Sequence, residues 1–448
     1  MRLYDILRQY TDKSVPYHMP GHKRNPSFDY ISAVSGIDYT EIDGLDNLHA
    51  PEGIIRDAQD HAARVFGADR SFFLVNGTTG GILASVYALA KSGKPVIMAR
   101  NCHKSVYNAV TICRSKPVYI LPRPHPMGFA ADITPSQAEE AILGCPDAAC
   151  MLITSPTYDG VVSDVGGIAE VCHRYGVALI VDAAHGSHLG FLDPAVQSPV
   201  TCGADVTVMS LHKTMPSLTQ TSILHVCGAL VNPDDIAAAL GIFETSSPSY
   251  LFLASVDGCA YEMENPSLFE AWRERIREVR ESAAFDVPDG VFAFDTSKLI
   301  LRRCGYTGDE LASILRENGI EPEMTAENYV LLMTGAGDTP EMTRCLLDAC
   351  GKIAPRDGES AGESVHLPVP ETVLAPWEAS VKGWENVPLE DAAGRICAES
   401  VMAYPPGIPL LVPGERITAE MTAFLRSAKL NFLTFRGTFD GNLRCLPE

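Results

Sequence analysis

The chain contains 448 residues, and its 35 Lys and Arg against 56 Asp and Glu give a formal net charge of −21. This excess of negative charge argues against nucleic acids and anionic membrane surfaces as main partners, because binding to either requires a basic surface. Hydrophobic residues make up 46% of the chain and charged residues 20%, which excludes a disordered chain. The length predicts about two to three domains with ample hydrophobic core.

No apolar run is long enough to span a membrane, and the first residues, MRLYDILRQYTDK, lack the hydrophobic region of a signal peptide. The 13 cysteines are scattered, include no CxxC pair and are odd in number, which is atypical of a secreted disulfide framework. We therefore expect a cytoplasmic protein whose cysteines are reduced.

Short apolar runs alternate with helical patterns between residues 71 and 230, which predicts an α/β domain with a mostly parallel sheet. The predicted strands are Phe72–Val75, Val96–Ala99, Val118–Leu121, Met151–Thr154, Ala178–Val181, Val206–Met209 and Ser222–Val226. The predicted helices include Gly80–Ala90, His103–Cys113 and Ile168–Tyr175. Ligands of such sheets bind beyond the carboxyl ends of the strands, so polar residues that follow strands are the candidates for a site.

The pattern changes near residue 290 and predicts a smaller α+β unit. Its predicted strands and helices are Val291–Phe294, Lys298–Leu301, Thr307–Asn318, Tyr329–Thr334 and Glu341–Ala349, and a final helix is predicted near Thr418–Ser427. A stretch rich in Pro, Gly, Ser and Glu separates the last two of these. We divide the chain into an N-terminal arm (1–40), a major domain (41–290), a small domain (291–355), a linker (356–376) and a C-terminal domain (377–448).

Lys213 and Asp182 each follow a predicted buried strand, in SLHKT (210–214) and VDAAHG (181–186). A lysine at such a place is either an ordinary surface lysine or a Schiff-base lysine. Asp182 lies 31 residues earlier, enough for one strand–connection–strand unit, so both side chains can enter one crevice. A buried carboxylate needs a cationic partner, such as a pyridinium nitrogen, although capping of the next turn is an alternative role for Asp182.

The stretch NGTTGG (76–81) follows a predicted strand and opens a helix, where backbone N–H groups can approach a phosphate. The spacing matches neither a Walker A loop nor the dinucleotide fingerprint, and a simple strand–helix turn is an equally good interpretation. His103 follows another strand and either stacks on a cofactor ring or begins a helix. His185 and His188 have the spacing of a metal pair, but no further ligands complete a site, so we predict no metal.

Taken together, these stretches resemble the Orn/Lys/Arg decarboxylases, pyridoxal-phosphate enzymes of fold type I. The stretches that carry the resemblance are HMPGHK (18–23), TEIDGLDNLHAPEGII (40–55), NGTTGG (76–81), NCHKSVYNA (101–109), PTYDGVVSD (156–164), VDAAHGSHLGF (181–191), SLHKTMPSLTQT (210–221), SSPSY (246–250) and YPPGIPLLVPGE (404–415). The resemblance implies an aspartate-aminotransferase-like α/β fold with a seven-stranded sheet flanked by helices. It also implies a homodimer or higher oligomer and, because HMPGHK begins at residue 18, a short form without the N-terminal wing domain.

The same resemblance implies residue roles. Lys213 would hold pyridoxal 5′-phosphate, Asp182 would pair with its ring nitrogen, His103 would stack on the ring and His185 would brace its polar edge. His212 would be a candidate proton donor. The phosphate would be held by Gly77, Thr78, Thr79, Ser210 and His212.

The implied reaction is α-decarboxylation of a basic amino acid, with arginine favoured over lysine or ornithine and a role in polyamine biosynthesis. Glu323 is the first candidate for the carboxylate that binds the basic side chain, followed by Glu41, Asp43, Asp46 and Glu415. Two alternatives remain open: an aminotransferase of the same fold, in which Arg302 or Arg303 would bind the substrate carboxylate, and a catalytically silent pyridoxal-phosphate-binding protein.

Overall fold

The computed structural model describes the chain except for residues 12–15, 17, 26, 28, 284, 355, 358–368, 405, 406, 429–433, 437 and 440. Most of the predicted linker (356–376) and part of YPPGIPLLVPGE therefore lie outside the described residues.

A seven-stranded sheet forms the centre of the major unit, in the order β1-β8-β7-β6-β4-β2-β3. Its strands are β1 (Arg70–Leu74), β2 (Val96–Ala99), β3 (Pro117–Ile120), β4 (Cys150–Thr154), β6 (Ala178–Asp182), β7 (Val206–Ser210) and β8 (Ser222–Val226), with the short β5 (Val161–Val162) outside it. Strand β8 runs antiparallel to both of its neighbours, and the other pairings in the sheet are parallel. The predicted mostly parallel sheet is confirmed, and its strands are nearly continuous apolar runs because helices cover both faces.

The helices of this unit are α1 (Leu3–Thr11), α2 (Ser32–Ser35), α3 (Ile54–Phe66), α4 (Gly77–Ala90), α5 (Lys104–Ile112), α6 (Pro135–Gly144), α7 (Val165–Arg174), α8 (Pro233–Phe243), α9 (Tyr250–Met263) and α10 (Pro266–Ser282), with 3-10 helices at Asp29–Ile31 and Leu211–Lys213. Helix α4 lies tightly against the sheet. A Cβ atom on Gly81 would lie 2.6 Å from Leu74 and 2.7 Å from Val208, so only glycine permits this approach. The close packing brings the N-terminus of α4 to the carboxyl ends of the strands.

A smaller unit follows, built on the three-stranded antiparallel sheet β10-β12-β11. Its elements are β9 (Ala293–Phe294), β10 (Lys298–Leu301), α11 (Gly308–Glu317), β11 (Met324–Thr325), β12 (Val330–Met333) and α12 (Pro340–Gly351). Leu299 and Leu301 belong to the core of this unit, whereas Ile300 packs with Phe129 and Val161 of the major unit. Because side chains alternate along a strand, Lys298 lies on the same face as Ile300, towards the major unit.

The C-terminal part contains α13 (Pro376–Ser380), β13 (Glu385–Pro388), β14 (Val401–Tyr404), β15 (Ile408–Leu411), α14 (Ala419–Ala428), β16 (Thr434–Arg436), β17 (Thr438–Phe439) and β18 (Asn442–Cys445). Two small sheets, β13-β18-β17 and β15-β14-β16, enclose a core of their own that includes Val387, Leu411 and Leu443. The boundaries predicted for the arm, domains and linker remain predictions.

Candidate active site

Lys213 and Asp182 lie at the ends of two adjacent parallel strands. Strand β6 ends at Asp182, which pairs with Val208 of β7, and β7 leads directly into the 3-10 helix that ends at Lys213. Burial lowers the pKa of Lys213, while the charges of Asp182 and Glu323 oppose that shift. The two side chains are thus within electrostatic range of each other.

Asp182 is a buried carboxylate, with only 2% of its surface exposed. It accepts a hydrogen bond from the backbone N–H of Ala184 at 3.1 Å, which is the turn-capping role considered above. Burial raises its pKa, and the charge of Lys213 only partly offsets this effect. Among the described residues, this backbone N–H is the one hydrogen-bond donor to the carboxylate, which leaves acceptor capacity for a cationic group.

His185 lies between two lysine amines. Its Nε2 is 2.9 Å from Nζ of Lys213, and its Nδ1 is 2.8 Å from Nζ of Lys298. The ring of Tyr158 packs edge-on against the imidazole at a centroid distance of 4.8 Å. Burial, reinforced by both lysine charges, lowers the pKa of His185 well below its ordinary value, so the imidazole is neutral.

Three hydroxyl groups meet at the N-terminus of α4. Thr78 shares hydrogen bonds with Ser210 and, at 3.1 Å, with Ser222. Asn76, the residue before α4, makes no capping hydrogen bond with its side chain, so the first N–H groups of the helix are available to an anion. Gly77 has a φ of +69°, a conformation that favours glycine. Thr79 is exposed in the same first turn.

Burial lowers the pKa of two further imidazoles, His103 and His212. The charge of Lys213 adds to the effect on both rings. His103 begins α5 and accepts a hydrogen bond from the backbone N–H of Ser105, and its pKa falls to about 4. Nδ1 of His212 is 2.9 Å from the carbonyl oxygen of Thr221. His103 therefore has the helix-starting role considered above, and the charge of Lys213 reaches its ring. Stacking on the cofactor stays a prediction.

Glu323 is an acidic residue of the small unit whose charge reaches this region. Its carboxylate accepts a hydrogen bond from the hydroxyl of Tyr158, and the residue is exposed. Its charge acts on both Lys213 and Lys298. We call Lys213, Asp182, His185, Lys298 and Glu323 the lysine cluster.

The other acidic candidates lie elsewhere. Glu41 and Asp43 are exposed, and in the described part of the chain neither contacts the lysine cluster. Asp46 accepts hydrogen bonds from backbone N–H groups at the start of α3, which also lower its pKa against the effect of its burial. The prediction for Glu415 requires correction, because this residue is fully buried and both of its carboxylate oxygens bind Arg100.

The hydrogen bonds of His188 go to residues outside the lysine cluster and join the two units. Its Nε2 lies 3.0 Å from Oδ1 of Asp295, and its Nδ1 lies 3.2 Å from the hydroxyl of Thr214. The backbone N–H of Ala336 donates to the carbonyl oxygen of Thr214 at 2.9 Å. The residue that follows Lys213 is therefore held by the small unit, and the rings of His185 and His188 bind separate partners.

A model of the Orn/Lys/Arg decarboxylase major domain matches residues 2–285, and a model of the C-terminal domain of the same family matches residues 363–441. The chain belongs to the Orn/Lys/Arg decarboxylase family. It is 36% identical to an arginine decarboxylase of Bacillus subtilis over 94% of this chain and 92% of that protein. It is 34% identical to an arginine decarboxylase of Bacillus anthracis over 99% and 96% of the two chains.

The fold is also that of a solved lysine decarboxylase. Lysine decarboxylase A of Pseudomonas aeruginosa superimposes with a TM-score of 0.83, covering all of this chain and 80% of the other at 20% identity. The fold type I architecture predicted from sequence is thus confirmed, and the chain is a pyridoxal-phosphate-dependent decarboxylase.

The residues present fit this cofactor. The hydroxyl cluster and the uncapped N-terminus of α4 suit a phosphate, and the buried carboxylate of Asp182 suits a protonated ring nitrogen. Lys213 ends the 3-10 helix Leu211–Lys213, which directly follows Ser210 at the end of β7.

Sequence reasoning missed three members of this site. Ser222 begins β8 directly opposite Ser210, so its pairing in the sheet was the signal for its role. Tyr158 lies in the family stretch PTYDGVVSD, but only the fold shows that it holds Glu323. Lys298 begins the apolar strand β10, where a lysine is easily interpreted as a polar flank.

Proposed function

We propose that this decarboxylase acts on arginine, releasing carbon dioxide and the corresponding amine for polyamine biosynthesis. The observation that carries the proposal is Glu323, an exposed carboxylate held by Tyr158 within electrostatic range of Lys213. A guanidinium binds a carboxylate through two parallel hydrogen bonds, which makes an oriented carboxylate a suitable partner. The arginine decarboxylases of the two Bacillus species support the same substrate.

When bound, pyridoxal phosphate supplies the electron sink for the charge that develops on the α-carbon as carbon dioxide leaves. In our proposal Lys213 attaches the cofactor and Asp182 stabilises positive charge at its ring nitrogen. His103 would pack on the ring, and His185 would lie at its polar edge. The phosphate would be held at the N-terminus of α4 by Gly77, Thr78, Thr79, Ser210, Ser222 and His212.

His212 is the proposed proton donor to the α-carbon. Its ring nitrogen Nδ1 is 2.9 Å from the carbonyl of Thr221, which orients Nδ1–H towards that oxygen. Proton exchange then takes place at Nε2, which takes up a proton before it can donate one. A positioned donor of this kind contributes about 10²–10⁴-fold to a rate.

The aminotransferase alternative finds less support. Arg302 lies 3.7 Å from Asp286, and Arg303 donates to the carbonyl of Arg302 at 2.7 Å. In the contacts of the described residues, neither guanidinium joins the lysine cluster, where a substrate carboxylate would have to be bound. Transamination would yield a keto acid, whereas decarboxylation yields gas and an amine, so product analysis separates the two.

The deciding experiment combines absorbance with product analysis. Purified protein is loaded with pyridoxal phosphate and given arginine, lysine or ornithine in turn while released carbon dioxide is measured. We expect gas with arginine at the highest kcat/KM. Gas from lysine or ornithine alone would overturn the substrate, a keto acid would favour the aminotransferase, and bound cofactor without any product would favour a silent binding protein.

Assembly and location belong to the same proposal. We propose a homodimer in the cytoplasm, which light scattering of the loaded protein and fractionation of the source cells would test. Over the described residues, no helix combines the length and the apolar character needed to cross a membrane.

A further inference from the structure

Tyr158 lies between Lys213 and the acidic residue Glu323. Its hydroxyl donates a hydrogen bond to Oε1 of Glu323, and its ring packs edge-on against the imidazole of His185 at a centroid distance of 4.8 Å. Nε2 of that imidazole lies 2.9 Å from Nζ of Lys213. A continuous series of contacts therefore leads from Lys213 to Glu323, and Tyr158 is the member that touches the carboxylate.

The turn that carries Tyr158 is held by the small unit. The hydroxyl of Tyr329 donates to Oδ1 of Asp159 at 2.5 Å, and the backbone N–H of Asp295 donates to the carbonyl oxygen of Gly160 at 2.8 Å. Gly160 has a φ of +102°, a conformation that favours glycine. The hydroxyl of Tyr158 is thus presented from a fixed turn, and the unit that fixes this turn is the one that carries Glu323.

The hydrogen bond from Tyr158 restricts a carboxylate that could otherwise rotate. Glu323 is exposed, and holding an exposed glutamate in one orientation costs side-chain entropy that a specific contact has to offset. Its backbone N–H donates to the carbonyl oxygen of Leu331 at 3.0 Å, so its backbone is already fixed in the small unit. An ionised carboxylate has about four acceptor positions, so the phenol leaves positions for a ligand.

A fixed carboxylate plane affects the two classes of basic side chain differently. A guanidinium is planar and binds through two parallel hydrogen bonds, so its binding depends on the plane of the carboxylate. An ammonium is a compact charge with three rotatable donors, so it binds a carboxylate in many orientations. A carboxylate held in one plane therefore favours a guanidinium over an ammonium, whereas a rotating carboxylate discriminates less.

We propose that Tyr158 is a positioning residue that determines substrate specificity: its hydroxyl holds Glu323 in an orientation that favours the guanidinium of arginine over an ammonium side chain. This inference rests on the proposed function, in which Glu323 binds the basic end of the substrate, and deepens it. Tyr158 acts through the carboxylate and has no chemical step of its own.

The test measures the binding of two amines to the protein loaded with pyridoxal phosphate. Agmatine, the amine product of arginine, ends in a guanidinium, and cadaverine, the amine product of lysine, has a similar length and ends in an ammonium. Tyr158→Phe keeps the ring beside His185 and removes only the hydroxyl. By calorimetry we expect the affinity for agmatine to fall about tenfold in this variant, as for the loss of one hydrogen bond, and the affinity for cadaverine to change little.

Tyr175→Phe is the matched control. It removes a phenol that donates to Glu139 at 2.9 Å on the surface, so both affinities should stay at their wild-type values. A double-mutant cycle then shows whether Tyr158 acts through Glu323. In a Glu323→Ala background the hydroxyl has no carboxylate to hold, so Tyr158→Phe should have little further effect on agmatine binding. Additive losses would overturn the proposal, because they would show a contribution independent of Glu323.

The wild-type protein separates the failure of this inference from the failure of the proposed function. If the wild type binds agmatine more tightly than cadaverine and Tyr158→Phe keeps the same ratio of affinities, the role of Tyr158 is overturned and the proposed function stands. If the wild type binds cadaverine more tightly, arginine fails as the proposed substrate, whatever the variant does. We expect the wild type to prefer agmatine and Tyr158→Phe to lose most of that preference.

Discussion

Arg100 and Glu415 form a buried ion pair between the central sheet and the C-terminal part of the chain. Nη2 of Arg100 lies 3.2 Å and 3.1 Å from the two carboxylate oxygens, and Nη1 donates to the carbonyl of Pro409 at 2.6 Å. The hydroxyl of Tyr107 accepts a further hydrogen bond from Nη1 at 3.0 Å. Because Arg100 directly follows β2, this pair anchors the C-terminal part to the sheet.

Arg100→Ala would leave Glu415 buried without its cation. Loss of one partner of a buried ion pair costs about 3–5 kcal/mol, so we expect a lower melting temperature and faster proteolysis of the C-terminal part. Differential scanning calorimetry and limited proteolysis would measure both. Arg174→Ala, which removes an exposed ion pair with Glu139, is the control and should change stability little. Equal stability of the two variants would refute the anchoring role.

Glu323→Gln would remove the charge proposed to bind the guanidinium. A hydrogen bond to a charged group contributes about 1.5–3 kcal/mol, so we expect kcat/KM for arginine to fall about 10- to 150-fold, mainly through KM. Steady-state assays would show this, with Glu321→Gln as the neighbouring control, since Glu321 pairs with Arg316 on the surface. An unchanged KM would show that a residue other than Glu323 binds the guanidinium of the substrate.

Lys213→Ala should abolish covalent retention of the cofactor and nearly all turnover. The visible absorbance of dialysed protein and the release of carbon dioxide are the two measurements. Full activity in this variant would contradict the assignment of Lys213.

Asp182→Asn should reduce turnover without reducing stability. Burial raises the pKa of Asp182, so its ionised form is costly in the cofactor-free fold, and a neutral amide of the same shape avoids that cost. Turnover of the loaded enzyme and the melting temperature of the cofactor-free protein separate the effects. If Asp182→Asn keeps wild-type turnover, the role of Asp182 is limited to its hydrogen bond with the backbone of Ala184.

Glu244 should make the stability of the cofactor-free protein depend on pH. Its carboxylate accepts hydrogen bonds from the backbone N–H groups of Val75 and Asn76, and burial raises its pKa to about 7. The folded state therefore binds this proton more tightly than the unfolded state, so stability is lost as pH rises from about 4.5 to about 7.

Glu244→Gln mimics the protonated form. We expect it to match the wild type at pH near 4 and to exceed it by up to about 3 kcal/mol at pH near 8. Denaturant melts at both pH values would measure the difference, with the exposed Glu264→Gln as control. A difference independent of pH would show that Glu244 does not titrate in this range.

The sequence predicted the sheet well because each strand is a local apolar run. It placed Lys213 and Asp182 near each other because both come soon after such runs, while their roles stay predictions. Lys298 and Glu323 belong to the small unit, and their approach to His185 and Lys213 depends on packing between units, which local patterns do not encode. Glu415 was misinterpreted for the same reason: its partner Arg100 is 315 residues away.

The contacts of Thr214 with His188 and Ala336 make the position of Lys213 a shared property of two units. Exchanging the small unit for that of a relative, as in the engineering of chimaeric enzymes with new substrate ranges, would therefore also exchange part of the support of the cofactor lysine. A successful graft has to retain Asp295, Lys298 and the backbone at Ala336 together, and a change at Glu323 also changes the electrostatic environment of Lys213.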